Sequence, residues 1–354
     1  MVDTIRWGIM STGNIAAQFA RDLKAADHAE LRGVASRNLE KARRFADEHG
    51  VPKAYGNYEE LAAAPDIDAV YIGTPHACHK DNTLLCLTHG KHVLCEKPLA
   101  LDHAEALEMF RAARGAGRLL MEAMWMLFFP AVQKARDLVR EGAIGDPRML
   151  RADFAFRANL EPEGRLMNPA LGGGALLDIG IYPLALAQLV FGEAPIAIAT
   201  AAQFGETEVD VQSGIVMKYA TGAMAVLSCS FETALPQEAV IAGSEGTILI
   251  PPEFSHPDAL VLRRNGAEER IAFNRRGIGY YLEAEEAGRC IREGLLESPV
   301  VPHGGSLALA RTMDRVRRVW SMKYPGEGKQ NSSAPGVPNG YGSRQNHGET
   351  VVGR

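Results

Sequence analysis

The sequence predicts an α/β unit built on a doubly wound parallel sheet over residues 1–123, then an α+β unit with a large, mainly antiparallel, open-faced sheet over residues 124–325. Three observations carry that prediction. Short β-rich runs alternate with helical stretches through the first third of the chain, strands joined by very short turns crowd the second half, and past residue 326 large apolar residues almost vanish. A chain of 354 residues is also too long for one ordinary core and suits two domains of roughly 120 to 220 residues.

The elements follow in order. Apolar runs at 5–10, 29–36, 69–74, 91–95 and 119–122 read as strands, with helical patterns at 14–26, 39–50, 77–89 and 103–116 between them. That alternation implies right-handed βαβ units and a parallel sheet. After Pro130 a helix at 131–142 leads to a strand at 149–157, a Gly/Pro-rich loop and a helix near 174–191. Strand pairs 211–219 and 223–233, 238–242 and 246–250, and 260–264 and 269–273 are joined by turns so short that each pair must be antiparallel. Helices at 280–293 and 305–322 close the ordered part, and residues 326–354 read as a disordered tail.

Composition narrows the class. Hydrophobic residues at 46% and charged residues at 23% are the mix of a globular protein. A net charge of −5 gives no expectation of nucleic acid or an anionic membrane as partner. Five cysteines without metal-ligand spacing argue against a disulfide framework or a zinc site and suit a reducing cytoplasm. The first ten residues show no signal peptide, and no uninterrupted apolar run of about 18 residues suggests a membrane span.

The first strand-to-helix turn reads Gly8-Ile9-Met10-Ser11-Thr12-Gly13-Asn14-Ile15-Ala16. A dinucleotide-binding Rossmann turn needs small residues where backbone approaches pyrophosphate, then a helix N-terminus offering N–H groups. The three fingerprint positions fall on Ser11, Gly13 and Ala16, and Ser11 departs from glycine. A tight turn with no ligand is the plainer alternative. NAD enzymes usually carry an acid at the tip of the second strand, whereas here Ser36 and Arg37 stand there with Lys41 one turn on. Ser36 can donate to a phosphate and Arg37 can grip a 2′-phosphate; Arg37 also reads as a solvated surface arginine. Absence of acid together with Ser-Arg favours NADP(H).

The strand at 91–95 runs into Glu96-Lys97-Pro98, and the carboxyl end of a parallel strand is where such sheets hold ligands. Lys97 is placed for chemistry there, the alternative being a surface Glu-Lys pair. Downstream, Gly172-Gly173-Gly174 precedes Asp178 and Tyr182. Their spacing of four puts a carboxylate and a phenol on one helix face, although a buried tyrosine with a satisfied hydroxyl is common.

Together, Gly8 with Gly13-Asn14-Ile15-Ala16, Gly73-Thr74-Pro75-His76 with His79, Glu96-Lys97-Pro98 and the Gly172–Gly174 run with Asp178 and Gly180 resemble the glucose–fructose oxidoreductase and inositol dehydrogenase family, over residues 4–323. Met121 to Trp125, Phe129-Pro130-Ala131 and Asp178 to Tyr182 resemble its branch of dimeric trans-dihydrodiol dehydrogenases and NADP-dependent D-xylose dehydrogenases. The resemblance implies a cofactor along Ser11, Thr12, Gly13, Asn14, Ile15, Ser36, Arg37, Thr74, Pro75, His76, His79, Glu96 and Lys97. It implies a polyol between Lys97, Trp125, Asp178 and Tyr182, and a cis bond before Pro98. Branch members also match at Tyr71, Arg148 and Phe154; Tyr71 also reads as a central-strand β-former and Phe154 as core. His76 and His79 lack a third ligand, so no metal is expected.

These features together imply an NADP(H)-dependent dehydrogenase oxidising a secondary or hemiacetal alcohol of a sugar or cyclic diol. Tyr182, its phenolate favoured by Lys97, would take the proton, or Lys97 would be the base and Tyr182 a donor, with Asp178 orienting hydroxyls. The rivals are a ketose or anhydro-sugar reductase and a non-catalytic NADP-binding regulator. Val216, Val226 and Ser228 are apolar or small for a solvated sheet face, which points to a homo-oligomer, a dimer first of all.

Overall fold

The computed structural model describes residues 4–327. The first sheet grows from β1 (Ile5–Met10), α1 (Asn14–Asp22), β2 (Ala29–Ala35), α2 (Leu39–His49), β3 (Lys53–Tyr55), α3 (Tyr58–Ala63), β4 (Ala69–Ile72), α4 (His79–Thr88), β5 (His92–Glu96), α5 (His103–Ala116) and β6 (Leu120–Ala123). Its six strands lie in the order β3-β2-β1-β4-β5-β6, and every pair is parallel. Chain order reverses between β1 and β4, so their carboxyl ends open the crevice in which such sheets bind ligands. The strands are nearly continuous apolar runs because helices cover both faces; all of β4 and β6 is buried.

The second unit comprises α6 (Pro130–Arg140), β7 (Pro147–Ala155), α7 (Ile181–Phe191), β8 (Ala197–Phe204), β9 (Asp210–Lys218), β10 (Met224–Ser230), β11 (Ala239–Gly243), β12 (Gly246–Ile250), β13 (Ala259–Arg264), β14 (Ala267–Ala272), α8 (Tyr280–Arg292) and α9 (His303–Val319). Its eight strands run β14-β13-β12-β11-β7-β10-β9-β8. All pairs are antiparallel except the parallel β7/β10 pair at the centre. Helices α6, α7 and α9 pack on one face. The other face is open: alternate residues of β8 are exposed along its whole length.

Three elements differ from the sequence expectation. β3 is too short to show periodicity. α3 is announced only by Asn57, an N-cap whose side chain accepts the Glu60 N–H (2.8 Å) and donates from its amide to the Glu60 carboxylate (2.8 Å). β8 is rich in alanine, a poor strand former. The segment Pro169–Phe191 has the length and hydropathy of a membrane span, but 83% of its apolar window is buried inside the fold.

The expected disordered tail falls on residues 328–354, outside the described residues, but its start needs correcting. Gly326 and Glu327 belong to the folded part. The Glu327 carboxylate pairs with Arg317 at 2.7 Å and accepts the Tyr324 N–H at 2.9 Å. Arg317 is only 1% exposed, so an end at Gly326 would remove one of its two carboxylate partners, leaving Asp314.

Candidate active site

β1 hands the chain to α1 through Ser11, Thr12 and Gly13. Ser11 takes a φ of 130°, a region costly for any residue but glycine, and its Oγ accepts the Gly13 N–H at 3.1 Å. No side chain caps α1, so the N–H groups of its first turn, from Asn14 and Ile15 onward, are left for an anion. Across the crevice, a Cβ on Gly73 would stand 3.1 Å from Tyr71 and 3.2 Å from Ile15, so β4 ends against the start of α1. At the tip of β2 the Ser36 Oγ accepts the Asn38 N–H. The exposed Arg37 makes no hydrogen bond or ion pair among the described residues. Glu40, the one acid in the first turn of α2, bonds Arg43 at 3.0 Å. This surface could hold the pyrophosphate and ribose of a dinucleotide.

The chemistry-bearing groups meet beyond the end of β5. Lys97, joined to Pro98 by a cis bond, donates from Nζ to the Asp178 carbonyl at 2.7 Å and stands 3.5 Å from its Oδ1. The same Nζ lies 4.9 Å from the centre of the Tyr182 ring. Arg165, from the loop after β7, donates to both Asp178 oxygens at 3.0 and 3.4 Å. The Tyr182 oxygen accepts the Trp125 indole N–H at 2.9 Å, and Phe154 tilts against the Tyr182 ring at 5.1 Å. Asp178 sits in a π-helical turn (Leu176–Gly180) that leads into α7. That turn is set by the glycines: Gly172 has φ 79°, and a Cβ on it would stand 2.8 Å from His76, while a Cβ on Gly174 (φ 121°) would lie 2.5 Å from Asp210 Oδ1. Asp210 in turn accepts the Leu176 N–H at 2.7 Å.

Electrostatics sort the groups. Burial alone would raise the Asp178 carboxyl, but Lys97, Arg165 and His76 more than offset it and hold it well below the usual range. Burial brings His76 down to about 3, so its ring is neutral and donates from Nδ1 to the Gly172 carbonyl (2.9 Å). Burial, then Glu96 and Asp178, push the Tyr182 phenol well above 10. The pull of the Lys97 ammonium toward the phenolate does not offset these, so the net direction is upward. That ammonium stands over the ring face with its hydrogen bond on Asp178, and Tyr182 is a firmly neutral phenol.

The two halves of this arrangement match known sequence families. The model described as "Oxidoreductase family, NAD-binding Rossmann fold" matches residues 5–124, and that of the GFO/IDH/MocA C-terminal domain matches residues 132–249. The chain belongs to the GFO/IDH/MocA family. Trans-1,2-dihydrobenzene-1,2-diol dehydrogenase of Xenopus tropicalis is 39% identical over 90% of this chain and 99% of its own length. The Danio rerio enzyme of the same name is 41% identical over 90% and 98%. Among solved structures, aldose-aldose oxidoreductase from Caulobacter crescentus superposes with a TM-score of 0.82 at 26% identity, covering 89% of this chain and 97% of that one. A 3-ketoreductase from Actinomadura kijaniata, in complex with NADP and TDP-benzene, gives 0.80 at 29% identity with the same coverage. This GFO/IDH/MocA member is thus an oxidoreductase with a dinucleotide-binding Rossmann unit.

Within it, three residues expected at the site do other work. Arg148 is the second residue of β7, 56% exposed and bonded to Asp146. Phe154 is six residues further along that strand, about 20 Å away at strand rise, so Arg148 does not join the cluster. His79 has no exposure; its ring nitrogens lie 2.8 Å from the Pro98 carbonyl and 2.9 Å from that of Thr74, so it ties two loops together. Tyr71 is fully buried, stacked on Phe19 at 3.8 Å, and donates to Glu96 at 2.5 Å. Glu96 is held by that bond and by the Lys97 N–H (3.2 Å). Thr74 is also buried and accepts from Asn82 at 3.0 Å, leaving Pro75 and His76 to lead into α4.

Four residues near the cluster escaped the sequence reading. Arg165 lies in a loop without periodicity. Tyr280 and His256 stack on Trp125 from elements far along the chain. Glu283 is fully buried with neither carboxyl oxygen bonded among the described residues, and burial, with Glu96 and Asp22 adding, raises it well above the usual range. Among the described residues no group of three or more His, Cys, Asp or Glu side chains is placed to hold a metal ion.

Proposed function

We propose that the chain is an NADP(H)-dependent dehydrogenase that interconverts a secondary or hemiacetal alcohol of a sugar or cyclic diol with its carbonyl. The observation that carries this reading is the meeting of Lys97, Asp178 and Tyr182 at the carboxyl end of β5, beside an uncapped helix N-terminus and an acid-free β2 tip. Ser11, Thr12, Gly13, Asn14 and Ile15 would hold the pyrophosphate. Ser36, Arg37 and Lys41 would hold the 2′-phosphate, and Thr74, Pro75, His76 and Glu96-Lys97 would line the nicotinamide end. A bound nicotinamide supplies the hydride donor or acceptor. The NADP complex of the Actinomadura kijaniata relative and the diol-dehydrogenase names of the curated relatives support both cofactor and substrate class.

The residues divide the work by their charge states. A neutral phenol with a raised pKa is an acid, so Tyr182 donates the proton to the substrate oxygen during carbonyl reduction. By microscopic reversibility it accepts that proton in oxidation once it has ionised. Lys97 holds the substrate oxygen beside the phenol, and Asp178 keeps the ammonium in place and orients hydroxyls. Trp125 and Phe154 form the apolar wall. The sign of the pH effect follows: oxidation speeds up as pH rises, because the base form of a high-pKa group grows with pH. The five described cysteines are all unpaired, which suits a cytoplasmic setting. The open sheet face suits a homodimer, and the boundary between the two units falls near Ala123.

The test is NADPH absorbance over a panel of aldoses, polyols and trans-dihydrodiols, followed by Tyr182→Phe and Lys97→Met. Each variant should lower kcat by roughly 10²- to 10⁴-fold with NADPH binding retained, and the double variant should add little. Wild-type turnover in Tyr182→Phe would remove the tyrosine from the mechanism.

A further inference from the structure

The resemblance placed Trp125 beside the substrate polyol, yet the one polar atom of its side chain is bonded to Tyr182. Among the described residues that indole N–H, at 2.9 Å, is the one donor on the phenol oxygen. Its direction is fixed by aromatic neighbours. The Tyr280 ring stacks on the indole with centroids 4.6 Å and planes 7° apart, the His256 ring at 5.2 Å and 21°, and Phe129 meets it edge-on at 5.4 Å. His256 is itself anchored, with Nδ1 at 3.0 Å from Ser255 Oγ and Nε2 at 3.2 Å from Glu253. Trp125 and Tyr182 are both more than nine-tenths buried, so water competes little for the bond, and a hydrogen bond to a developing anion is strongest in such a place.

The other influences on Tyr182 oppose ionisation. Burial, Glu96 from β5, Asp178 from the turn before α7 and Glu283 from α8 all disfavour negative charge on the oxygen, and the Trp125 bond acts the other way as the hydrogen bond on the oxygen itself. Lys97 stands over the ring face. A preorganised donor aimed where charge develops is the arrangement that stabilises an oxyanion without reorganisation.

We propose that Trp125 is a positioning residue for proton transfer, its indole N–H clamped by the Tyr280–His256 stack so as to hold the Tyr182 oxygen and support negative charge on it. The inference rests on the reading of Tyr182 as the proton-transfer group. In oxidation the substrate O–H bond breaks and its proton goes to the Tyr182 oxygen. The carbinol C–H bond breaks with its electron pair, hydride goes to NADP+, and the C=O bond forms.

The test uses the full-length chain with NADP+ and either trans-1,2-dihydrobenzene-1,2-diol or D-xylose, whichever the panel shows to be oxidised, across the alkaline pH range. Trp125→Phe should move the pH profile of oxidation upward by about one unit, the scale of a bond to a charged group. Trp125→His, which retains a ring N–H, should recover part of the shift. The wild-type chain biosynthesised with fluorinated tryptophan, a stronger N–H donor of nearly the same size, should move the profile the opposite way. The same labelling of Trp125→Phe controls for Trp7 and Trp320. A folded Trp125→Phe whose profile is unmoved, or which loses rate equally at every pH including the plateau, overturns the proposal. If Trp125→Phe does not fold, an unmoved profile in the fluorinated enzyme overturns it. Full turnover by Tyr182→Phe instead sinks the underlying reading, and the two failures are separable.

Discussion

Arg37 stands at the tip of β2 with no hydrogen-bond or ion-pair partner among the described residues, and nearby Glu40 is bonded to Arg43. A guanidinium left unpaired at the place where a ribose is read is suited to a phosphate rather than a hydroxyl. Arg37→Asp should therefore weaken NADP(H) by roughly 10- to 100-fold and leave NAD(H) almost unchanged, as measured by fluorescence titration. Equal affinity of the wild type for both cofactors would contradict it. Asp210 supports a prediction of stability. Burial raises its carboxyl to about 6 from the ordinary 3.8, and its Oδ1 has no hydrogen-bond partner among the described residues. A raised pKa means that the group's stabilisation is complete below the ordinary value and is lost as pH rises through about 6. Asp210→Asn keeps the acceptor for the Leu176 N–H and does not titrate, so its melting temperature should gain on the wild type between pH 4 and pH 7. A gap that stays flat or narrows over that range would show that burial does not hold Asp210 protonated.

At the scale of elements, the N-terminus of α8 is held by a residue more than 250 positions away. The Asp22 carboxylate, at the end of α1, accepts the N–H groups of Ile278 (2.8 Å), Gly279 (2.8 Å) and Tyr281 (3.0 Å). It is 5% exposed, so removing it leaves two buried donors, of Gly279 and Tyr281, and the part-buried N–H of Ile278 unsatisfied. Asp22→Ala should lower stability by about 2 kcal/mol or more and the melting temperature by several degrees; an unchanged melting curve would mean that α8 is held by packing alone. Nothing in the sequence near Asp22 announces this role, because a cap supplied in trans has no local spacing. The same distinction separates what was legible from what was not. The turn at Ser11–Gly13, the strand-end Lys97 and the Gly172–Gly174 run with Asp178 and Tyr182 are local signals, fixed by backbone geometry within one or two elements. The pairing of Arg165 with Asp178, the Trp125 stack and the bond from Tyr71 to Glu96 join distant segments and needed the fold. The placement of Arg148 failed for a related reason: a resemblance gives a position in sequence, and strand geometry then carries it to the far end of β7.

For the whole molecule the unresolved weight lies on the open face of the second sheet. Register places one row of side chains across all eight strands: Ala199, Val216, Val226, Arg151, Val240, Leu249, Val261 and Arg270 are successive partners. Six of the eight are apolar; Val226 near the centre is 40% exposed, while Val261 toward the far edge is already buried. An antiparallel sheet facing water on one side normally alternates apolar inward and polar outward, and here the outward row breaks that rule for a contiguous stretch, the mark of an interaction surface. The proposed homodimer would cover it, since a two-fold axis parallel to the sheet, lying between two copies, lays a self-complementary row on itself. Val226→Glu, with Val240→Glu as a second variant, puts a carboxylate in the middle of that row and opposite its own copy. Each should shift the chain to monomer in multi-angle light scattering at micromolar concentration while leaving the far-ultraviolet circular dichroism unchanged. Phe154, which packs on Tyr182, points to the opposite face of β7 from Arg151, so the candidate active site lies on the covered side of the sheet and NADPH binding should survive in the monomer. A wild type that is already monomeric, or a dimer that tolerates both carboxylates, would show that this face is covered by something other than its own copy.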